Sequence, residues 1–246
     1  KAYPIPVIIG GPHPTFFPDI INTDGVDIIC RGEGEFAIIE LLNAIEKKQD
    51  YTTINNLWVK VGKTVYKNEM RPLADPLDTI PMIDWTCYKG SIVKFYPAIA
   101  IPIRGCPFSC TYCFNEKYRD IYSHSKKYVR HFSVERAISE LKAAIDFFSP
   151  DTPIIFTSDS FGINLAWMEK FFEEYSKITD LPFVVLLRPE LASDKCIEIL
   201  KKYRCFSVAI GVESGSERIR KELLHRNYSN DQLLEVSKRL HNAGIK

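Results

Sequence analysis

The 246-residue chain lacks the features that mark several specialised classes of protein. No apolar run approaches the roughly 18 residues that a membrane-spanning helix needs, so we expect no membrane span. The formal net charge is +1, which gives no electrostatic reason to expect nucleic acid or an anionic membrane as a partner. The N-terminus has no secretory signal pattern, and the chain begins at Lys1 rather than Met. The sequence therefore predicts a globular protein, represented by a fragment of a longer chain.

Cysteine is also scarce, with seven residues in the chain. So few cysteines in so long a chain do not fit a small secreted domain held together by disulfides. Three of them lie close together in the sequence, as Cys106, Cys110 and Cys113. The other four have no partner at motif spacing: Cys30, Cys87, Cys196 and Cys205. We expect Cys196 and Cys205 to be buried, inert thiols on apolar faces.

The three clustered cysteines follow an apolar run at residues 98–103, which predicts a buried strand. Gly105 and Pro107 break this strand, so the cysteines are expected on a loop at its C-terminal end. Such a loop lets three thiolates converge on the corners of one iron–sulfur cluster, which usually takes four. Three thiolates would leave one iron open to a non-protein ligand.

A structural zinc site is the main alternative for the same cysteines. His124 or His131 would then supply the fourth ligand. Zinc ligands usually come as pairs separated by two residues, and only Cys110 and Cys113 have that gap. The sequence therefore favours the cluster.

With Tyr112 in the aromatic position, the loop resembles the CxxxCx(aromatic)C signature of the radical S-adenosylmethionine enzymes. In that family the signature follows the first strand of a partial TIM barrel. The resemblance implies that the three cysteines hold a 4Fe–4S cluster and that the open iron binds S-adenosylmethionine. One electron then cleaves the sulfonium and releases a 5′-deoxyadenosyl radical. It also implies a small-molecule substrate, an electron donor such as flavodoxin or ferredoxin, and a reducing, cytoplasmic location.

Residues 1–49 are predicted to form the tail of a doubly wound sheet, with strands at residues 7–11 and 26–30 and a helix over residues 35–46. The glycines after each strand resemble those in the C-terminal half of a cobalamin-binding domain, which precedes the barrel in a large subfamily. That resemblance implies cobalamin as a further cofactor near Gly10 and Gly11. The subfamily's Asp-x-His-x-x-Gly motif is absent, and His13 is interpreted as a loop residue. In a fragment, the motif would lie upstream.

Residues 50–96 are predicted to form a β-hairpin, at residues 56–67, and a Pro-rich linker. In the linker we interpret Trp85 as a packing anchor and Cys87 as a candidate redox or cluster contact.

Residues 97–246 alternate strands and helices in four βα units, which predicts a parallel sheet. A fifth strand is expected to start at Ile245, and the family's barrel has six. The predicted fold class is α/β, with the C-terminal part of a Rossmann-like cobalamin-binding domain followed by a partial, incomplete TIM-type (β/α) barrel.

Polar residues follow the predicted barrel strands, where barrel enzymes place their chemistry. The resemblance implies S-adenosylmethionine contacts for five of them, in addition to Tyr112: Ser158, Asp159, Arg188, Glu213 and Ser214. Asp159 could instead cap a helix, and Arg188 could pair with Glu190 or Glu213. Phe161, Asn164 and Trp167 match a Phe, Asn and Trp that are usual in cobalamin-type members.

These patterns predict a radical S-adenosylmethionine enzyme, and they assign no catalytic residue. Methyl transfer through cobalamin is the first hypothesis for the reaction, and ring closure or oxidative rearrangement is the second. The alternative is a module without catalysis: an iron–sulfur electron carrier with a fourth thiolate such as Cys87, or a zinc-binding domain.

Overall fold

The computed structural model describes residues 5–88, 99–125, 127–148, 153–159 and 161–246. The chain divides into two compact units. The first unit comprises Lys1–Asp75, Thr79–Pro81 and Ile121–Ser125, and the second comprises Pro76–Asp78, Met82–Asp120 and Lys126–Lys246. Within the described residues, no helix is both long enough and apolar enough to span a membrane.

The first unit contains a four-stranded sheet in the order β1-β2-β3-β4. Strand β1 (Ile8–Ile9) is parallel to β2 (Ile28–Cys30), and β2 is antiparallel to β3 (Leu57–Val61), which pairs with β4 (Thr64–Lys67). The predicted hairpin is confirmed as β3 and β4, and it extends the sheet of the first unit. The boundaries at residues 49 and 96 stay a prediction.

Two α-helices also belong to the described part of this unit. The prediction of a loop at His13 is wrong, because His13 lies in the short helix α1 (Pro12–Phe16). Pro12 at its first turn suits a helix start, since the missing N–H would have no partner there. Helix α2 (Glu35–Glu46) has the predicted bounds and packs small side chains, such as Ala37 and Ala44, against the sheet core.

The second unit is built on a sheet of four parallel strands in the order β10-β9-β8-β5. These strands are β5 (Ile99–Ala100), β8 (Ile154–Phe156), β9 (Phe183–Leu186) and β10 (Cys205–Ala209). The helices between and after them are α3 (Phe114–Ile121), α4 (Val134–Phe147), α5 (Leu165–Ile178), α6 (Asp194–Lys202) and α7 (Asn230–Asn242). The predicted alternation of strands and helices is confirmed.

The predicted strand at residues 98–103 is wrong as a single element. Its first residue, Ala98, lies outside the described residues. Strand β5 ends at Ala100, and β6 (Ile103–Arg104) pairs antiparallel with β7 (Arg130–His131) in a separate two-stranded sheet. Pro102 lies at the break, and because proline has no N–H it cannot continue a ladder. Its carbonyl instead accepts a hydrogen bond from the backbone N–H of Phe132 at 3.1 Å.

Aromatic side chains fill the core between the parallel sheet and α5. Phe171, Phe172 and Tyr175 of α5 are buried. The ring of Phe172 stacks on Phe183 of β9 with 4.3 Å between centroids. Nearby, Trp85 stacks on Phe147 and meets Phe148 edge-on, which confirms Trp85 as a packing anchor.

The last residues extend the sheet beside β10. The N–H of Val208 donates to the carbonyl of Lys246 at 2.8 Å, and the N–H of Lys246 donates to the carbonyl of Phe206 at 3.1 Å. Ile245 is buried. The predicted start of a fifth strand is therefore confirmed.

Candidate functional site

A cavity of about 540 Å³ lies at the carboxyl ends of the parallel strands in the second unit. Carboxyl ends of parallel strands meet at one edge of a sheet, so residues far apart in sequence converge there. Eight of the predicted site residues line this cavity: Cys106, Cys110, Tyr112, Cys113, Ser158, Asp159, Arg188 and Glu213. The structure thus brings together the cysteine loop and the strand-end residues.

The cysteine loop runs from the end of β6 to the start of α3. Cys106 and Cys110 are buried and Cys113 is half-buried. Gly105 has φ +87°, and a Cβ there would collide with the carbonyl of Tyr128. Glycine is therefore required where the chain leaves β6 and enters the loop.

Two other segments hold this loop in place. Arg119 of α3 donates to the carbonyl of Pro107 at 2.5 Å and to the hydroxyl of Ser109 at 2.6 Å. On the other side, the Thr111 hydroxyl donates to the carbonyl of Leu223 at 2.5 Å, and its N–H donates to the carbonyl of Leu224 at 3.4 Å. These carbonyls end a π-helical turn, Ile219–Leu223. π turns are rare and occur frequently at functional sites.

Each of the three thiols accepts a hydrogen bond from an N–H group. The backbone N–H of Phe108 donates to the sulfur of Cys106. Burial raises the pKa of this thiol, and the hydrogen bond partly offsets that rise. Arg188 donates to Sγ of Cys110 at 2.9 Å. The amide of Asn115 donates to Sγ of Cys113 at 3.8 Å. The loop therefore presents three sulfur atoms that each accept a hydrogen bond from an N–H group.

Arg188 contacts several groups at once. Its guanidinium pairs with Glu190 at 2.5 Å and lies 3.8 Å from the ring centroid of Phe108. The ion pair with Glu190 confirms that alternative, while contact of Arg188 with S-adenosylmethionine stays a prediction. Among the described residues, its buried Nε has no hydrogen-bond partner.

Ser158 and Asp159 follow β8 and line the cavity. Ser158 is 3% exposed, and its hydroxyl has no hydrogen-bond partner within the described part of the chain. Asp159 is exposed. The helix-cap alternative for Asp159 is wrong, because Asn164 caps α5 and accepts the N–H of Trp167 at 3.0 Å. An unpaired buried hydroxyl beside a carboxylate is suited to a polar ligand group.

Arg226 is a site residue that the sequence did not indicate. It is 5% exposed and donates to the hydroxyl of Tyr112 at 2.8 Å, to Glu213 at 3.2 Å and to the carbonyl of Gly211 at 2.7 Å. Burial raises the pKa of Tyr112 to about 12, and Arg226 opposes that rise. Arg226 thus links the cysteine loop to the segment after β10. It stands at no motif spacing, so only the folded structure identifies it.

Three predicted site residues do not line the cavity. The carbonyl of Ser214 accepts a hydrogen bond from Arg220 at 2.5 Å, and its hydroxyl accepts the N–H of Ser216 at 3.2 Å. Gly10 and Gly11 belong to the first unit, where Gly11 has φ +96° and precedes α1. Their roles toward a cofactor stay predictions.

None of the remaining cysteines and histidines among the described residues lines this cavity. Cys196 and Cys205 are buried as expected, and burial raises their pKa values to about 11 and about 12. Cys87 is exposed, and neither it nor His124 nor His131 lines the cavity. Across the described residues, no three His, Cys, Asp or Glu side chains are grouped closely enough to hold a single metal ion.

Comparison with known proteins places this architecture in a family. The profile of the radical SAM superfamily matches residues 100–246. An uncharacterized methyltransferase of Pyrococcus horikoshii is 28% identical over 97% of this chain and 52% of its own length. The anaerobic magnesium-protoporphyrin IX monomethyl ester cyclase of Rubrivivax gelatinosus is 32% identical over 46% of this chain and 22% of its own. The chain thus spans about half the length of the Pyrococcus relative, and less of the cyclase.

The structure of the cobalamin-dependent S-adenosylmethionine radical enzyme OxsB superposes with a TM-score of 0.76. The match covers 97% of this chain and 35% of OxsB, at 19% identity, and it shows a shared fold. It confirms the predicted class, the C-terminal part of a Rossmann-like domain followed by a partial TIM-type barrel. The profile match covers more than half of the chain. Together with the cysteine loop and the parallel sheet, it shows that the chain belongs to the radical SAM superfamily.

Proposed function

We propose that this chain is the part of a radical SAM enzyme that holds a 4Fe–4S cluster on Cys106, Cys110 and Cys113 and S-adenosylmethionine in the adjoining cavity. One observation carries the proposal: the three thiols and the polar strand-end residues line the same cavity. When bound, the cluster supplies the electron that cleaves S-adenosylmethionine to a 5′-deoxyadenosyl radical. The protein's part is to bind and orient these groups against a substrate.

The residues present fit these cofactors. Three thiols on one loop suit a cuboidal cluster that has one iron without a cysteine ligand. The N–H groups that donate to the sulfurs would stabilise the negative charge of the thiolates when they bind the cluster. Within the described residues, the hydroxyl of Ser158 and Nε of Arg188 have no hydrogen-bond partner, and both suit a polar ligand.

The cavity offers a division of roles for S-adenosylmethionine. Ser158 and Asp159 would receive the methionine amino group, since a carboxylate and a hydroxyl suit a cation. Glu213, held by Arg226, would accept hydrogen bonds from ribose hydroxyls. Apolar side chains on the same wall, including Leu186 and Leu187, would exclude water from the reacting atoms.

For the reaction, methyl transfer through cobalamin is the first candidate. It is supported by the methyltransferase relative and by the fold shared with a cobalamin-dependent enzyme. In this proposal residues 1–49 contribute Gly10 and Gly11 to a cobalamin site, and residues 97–246 form the radical SAM core. Residues 50–96 connect these two parts. Ring closure is the second candidate, favoured by the cyclase relative.

The partners follow from this chemistry. We propose a small-molecule substrate, and flavodoxin or ferredoxin as electron donor. A reducing, cytoplasmic compartment suits the cluster, and no cysteine within the described residues forms a disulfide.

Anaerobic reconstitution with iron and sulfide, followed by EPR of the reduced protein, tests the proposal. We expect a reduced 4Fe–4S signal that changes when S-adenosylmethionine is added, because the cofactor binds the open iron. A Cys106→Ala, Cys110→Ala, Cys113→Ala triple variant should lose the signal. Cys87→Ala is the matched control and should keep it, since Cys87 is exposed and away from the cavity.

Other outcomes would contradict the proposal in distinct ways. A signal that ignores S-adenosylmethionine and disappears in Cys87→Ala would show a fully ligated electron-transfer cluster. Bound zinc without a cluster would show a structural metal site.

A further inference from the structure

Two of the hydrogen bonds to the cysteine sulfurs come from side chains, and these can be changed by substitution. They are the bonds from Asn115 to Cys113 at 3.8 Å and from Arg188 to Cys110 at 2.9 Å. The third, from Phe108 to Cys106, is a backbone bond that most substitutions would leave intact. Side-chain donors are therefore where this chain can adjust the properties of its sulfur ligands.

The orientation of Asn115 is fixed by a second hydrogen bond. Asn115 is 5% exposed and lies in the first turn of α3. Its Oδ1 accepts the hydroxyl of Tyr128 at 2.9 Å. A tyrosine hydroxyl is protonated at neutral pH, so it donates to Oδ1 of Asn115. The amide nitrogen must then face the sulfur of Cys113, which as a thiolate only accepts.

A donor in this position acts on the charge of a bound cluster. Reduction adds one electron, and the added negative charge is partly shared by the ligand sulfurs. An N–H group pointing at a ligand sulfur stabilises that charge, and such bonds are among the factors that set cluster potentials. The effect is strong where water is excluded, and Asn115 is buried.

We propose that Asn115 is a positioning residue that, held by Tyr128, makes the cluster easier to reduce through its hydrogen bond to Cys113. Arg188 adds a second, charged donor at Cys110. This inference depends on the proposed cluster site, and it assigns Asn115 and Tyr128 a role in setting the reduction potential.

An EPR-monitored redox titration of the reconstituted protein tests this role. Asn115→Asp keeps the acceptor for Tyr128 and replaces the N–H donor with a carboxylate, so we expect a midpoint potential more negative than that of the unmodified protein. Asn115→Leu removes the donor without adding charge and should give a smaller shift in the same direction. The matched control is Asn164→Asp, the same change at the α5 cap, where Asp serves equally well. Its potential should stay unchanged.

The outcomes separate this inference from the proposed function. If the unmodified chain forms no cluster, the proposed function fails. If Asn115→Asp and Asn115→Leu hold intact clusters at an unchanged potential, the role of Asn115 is refuted while the cluster site stands. If neither variant assembles a cluster, the midpoint potential of the Tyr128→Phe variant tests the inference instead. This variant leaves Asn115 in place without its anchor, and we expect a negative shift, whereas an unchanged potential overturns the inference.

Discussion

Arg226 joins four groups of the site through one guanidinium. Besides Tyr112, Glu213 and Gly211, it donates to the hydroxyl of Tyr228 at 3.2 Å. We predict that Arg226→Met lowers the free energy of unfolding by about 1–3 kcal/mol, because it removes four hydrogen bonds, one of them to the buried hydroxyl of Tyr228. Urea denaturation measures the change.

Arg218→Met is the control for this prediction. Arg218 makes an exposed ion pair with Glu222 at 3.4 Å, and such pairs contribute about 0–1 kcal/mol. Equal losses in the two variants would show that the contacts of Arg226 do not stabilise the fold.

His131 makes stability depend on pH. Burial lowers its pKa, and the charge of Lys127 adds to the effect. Its Nε2 is buried, with no partner among the described residues. Because the unfolded chain binds the proton more tightly, the contribution of His131 to stability is complete above pH of about 6.5 and is lost as the pH falls below that value.

The measurement is the free energy of unfolding at several pH values between neutrality and the acid side of that range. We expect His131→Gln to flatten the dependence, because it removes the titrating group. Identical pH profiles for the variant and the unmodified chain would contradict this assignment.

For single residues, the sequence indicated the side chains that line the cavity better than the side chains that hold them in place. Cys106, Cys110 and Cys113 could be expected to lie together because they are close in the sequence. Arg226 could not, since it meets Tyr112 across 114 positions in the chain. Asn115 lies close to the cysteines in sequence, but its contact with sulfur depends on the position of Tyr128.

Among the elements, helices with side-chain caps were the most predictable. Ser133, Ser193 and Ser229 each accept an N–H at the start of a helix, as their sequence context suggests. The strand predicted at residues 98–103 was wrong because apolar character alone did not reveal the break at Pro102. The π turn at Ile219–Leu223 was not predicted, since its residues carry no distinctive pattern in the sequence.

The start of α7 provides a test of these local signals. Ser229 and Gln232 form a capping box in which each side chain bonds the other's backbone N–H. We predict that Ser229→Ala lowers the free energy of unfolding by about 1 kcal/mol. Ser237→Ala on the same helix is the control, and it should change stability little, because the Ser237 hydroxyl only bonds the carbonyl of Leu233 one turn earlier. Thermal or urea unfolding followed by circular dichroism compares the two, and equal effects would argue against the cap.

In the whole molecule, the second unit depends on its aromatic core. Phe172 is fully buried and contacts Phe156, Phe171 and Phe183. We predict that Phe172→Ala destabilises the protein by about 3–5 kcal/mol, because it leaves a large cavity. Phe206→Ala is the control, since Phe206 is 42% exposed, and it should cost much less in the same urea titration. If Phe172→Ala and Phe206→Ala lowered the free energy of unfolding by similar amounts, the aromatic cluster around Phe172 would not be the main source of stability in this unit.

The overall architecture could be predicted because strands, helices and glycine turns alternate along the chain with clear periodicity. The assignment of the hairpin β3–β4 to the first sheet could not, because pairing with β2 depends on register rather than on composition.

The π turn also restricts how this protein can vary in length. Its final carbonyls accept the hydroxyl and the N–H of Thr111, and the turn holds one residue more than an α-helical turn would. Deleting one residue from Ile219–Leu223 would rotate the following residues by about 100° and turn both carbonyls away from the cysteine loop. Related chains that keep Thr111 in this contact should therefore place their insertions and deletions outside these five residues.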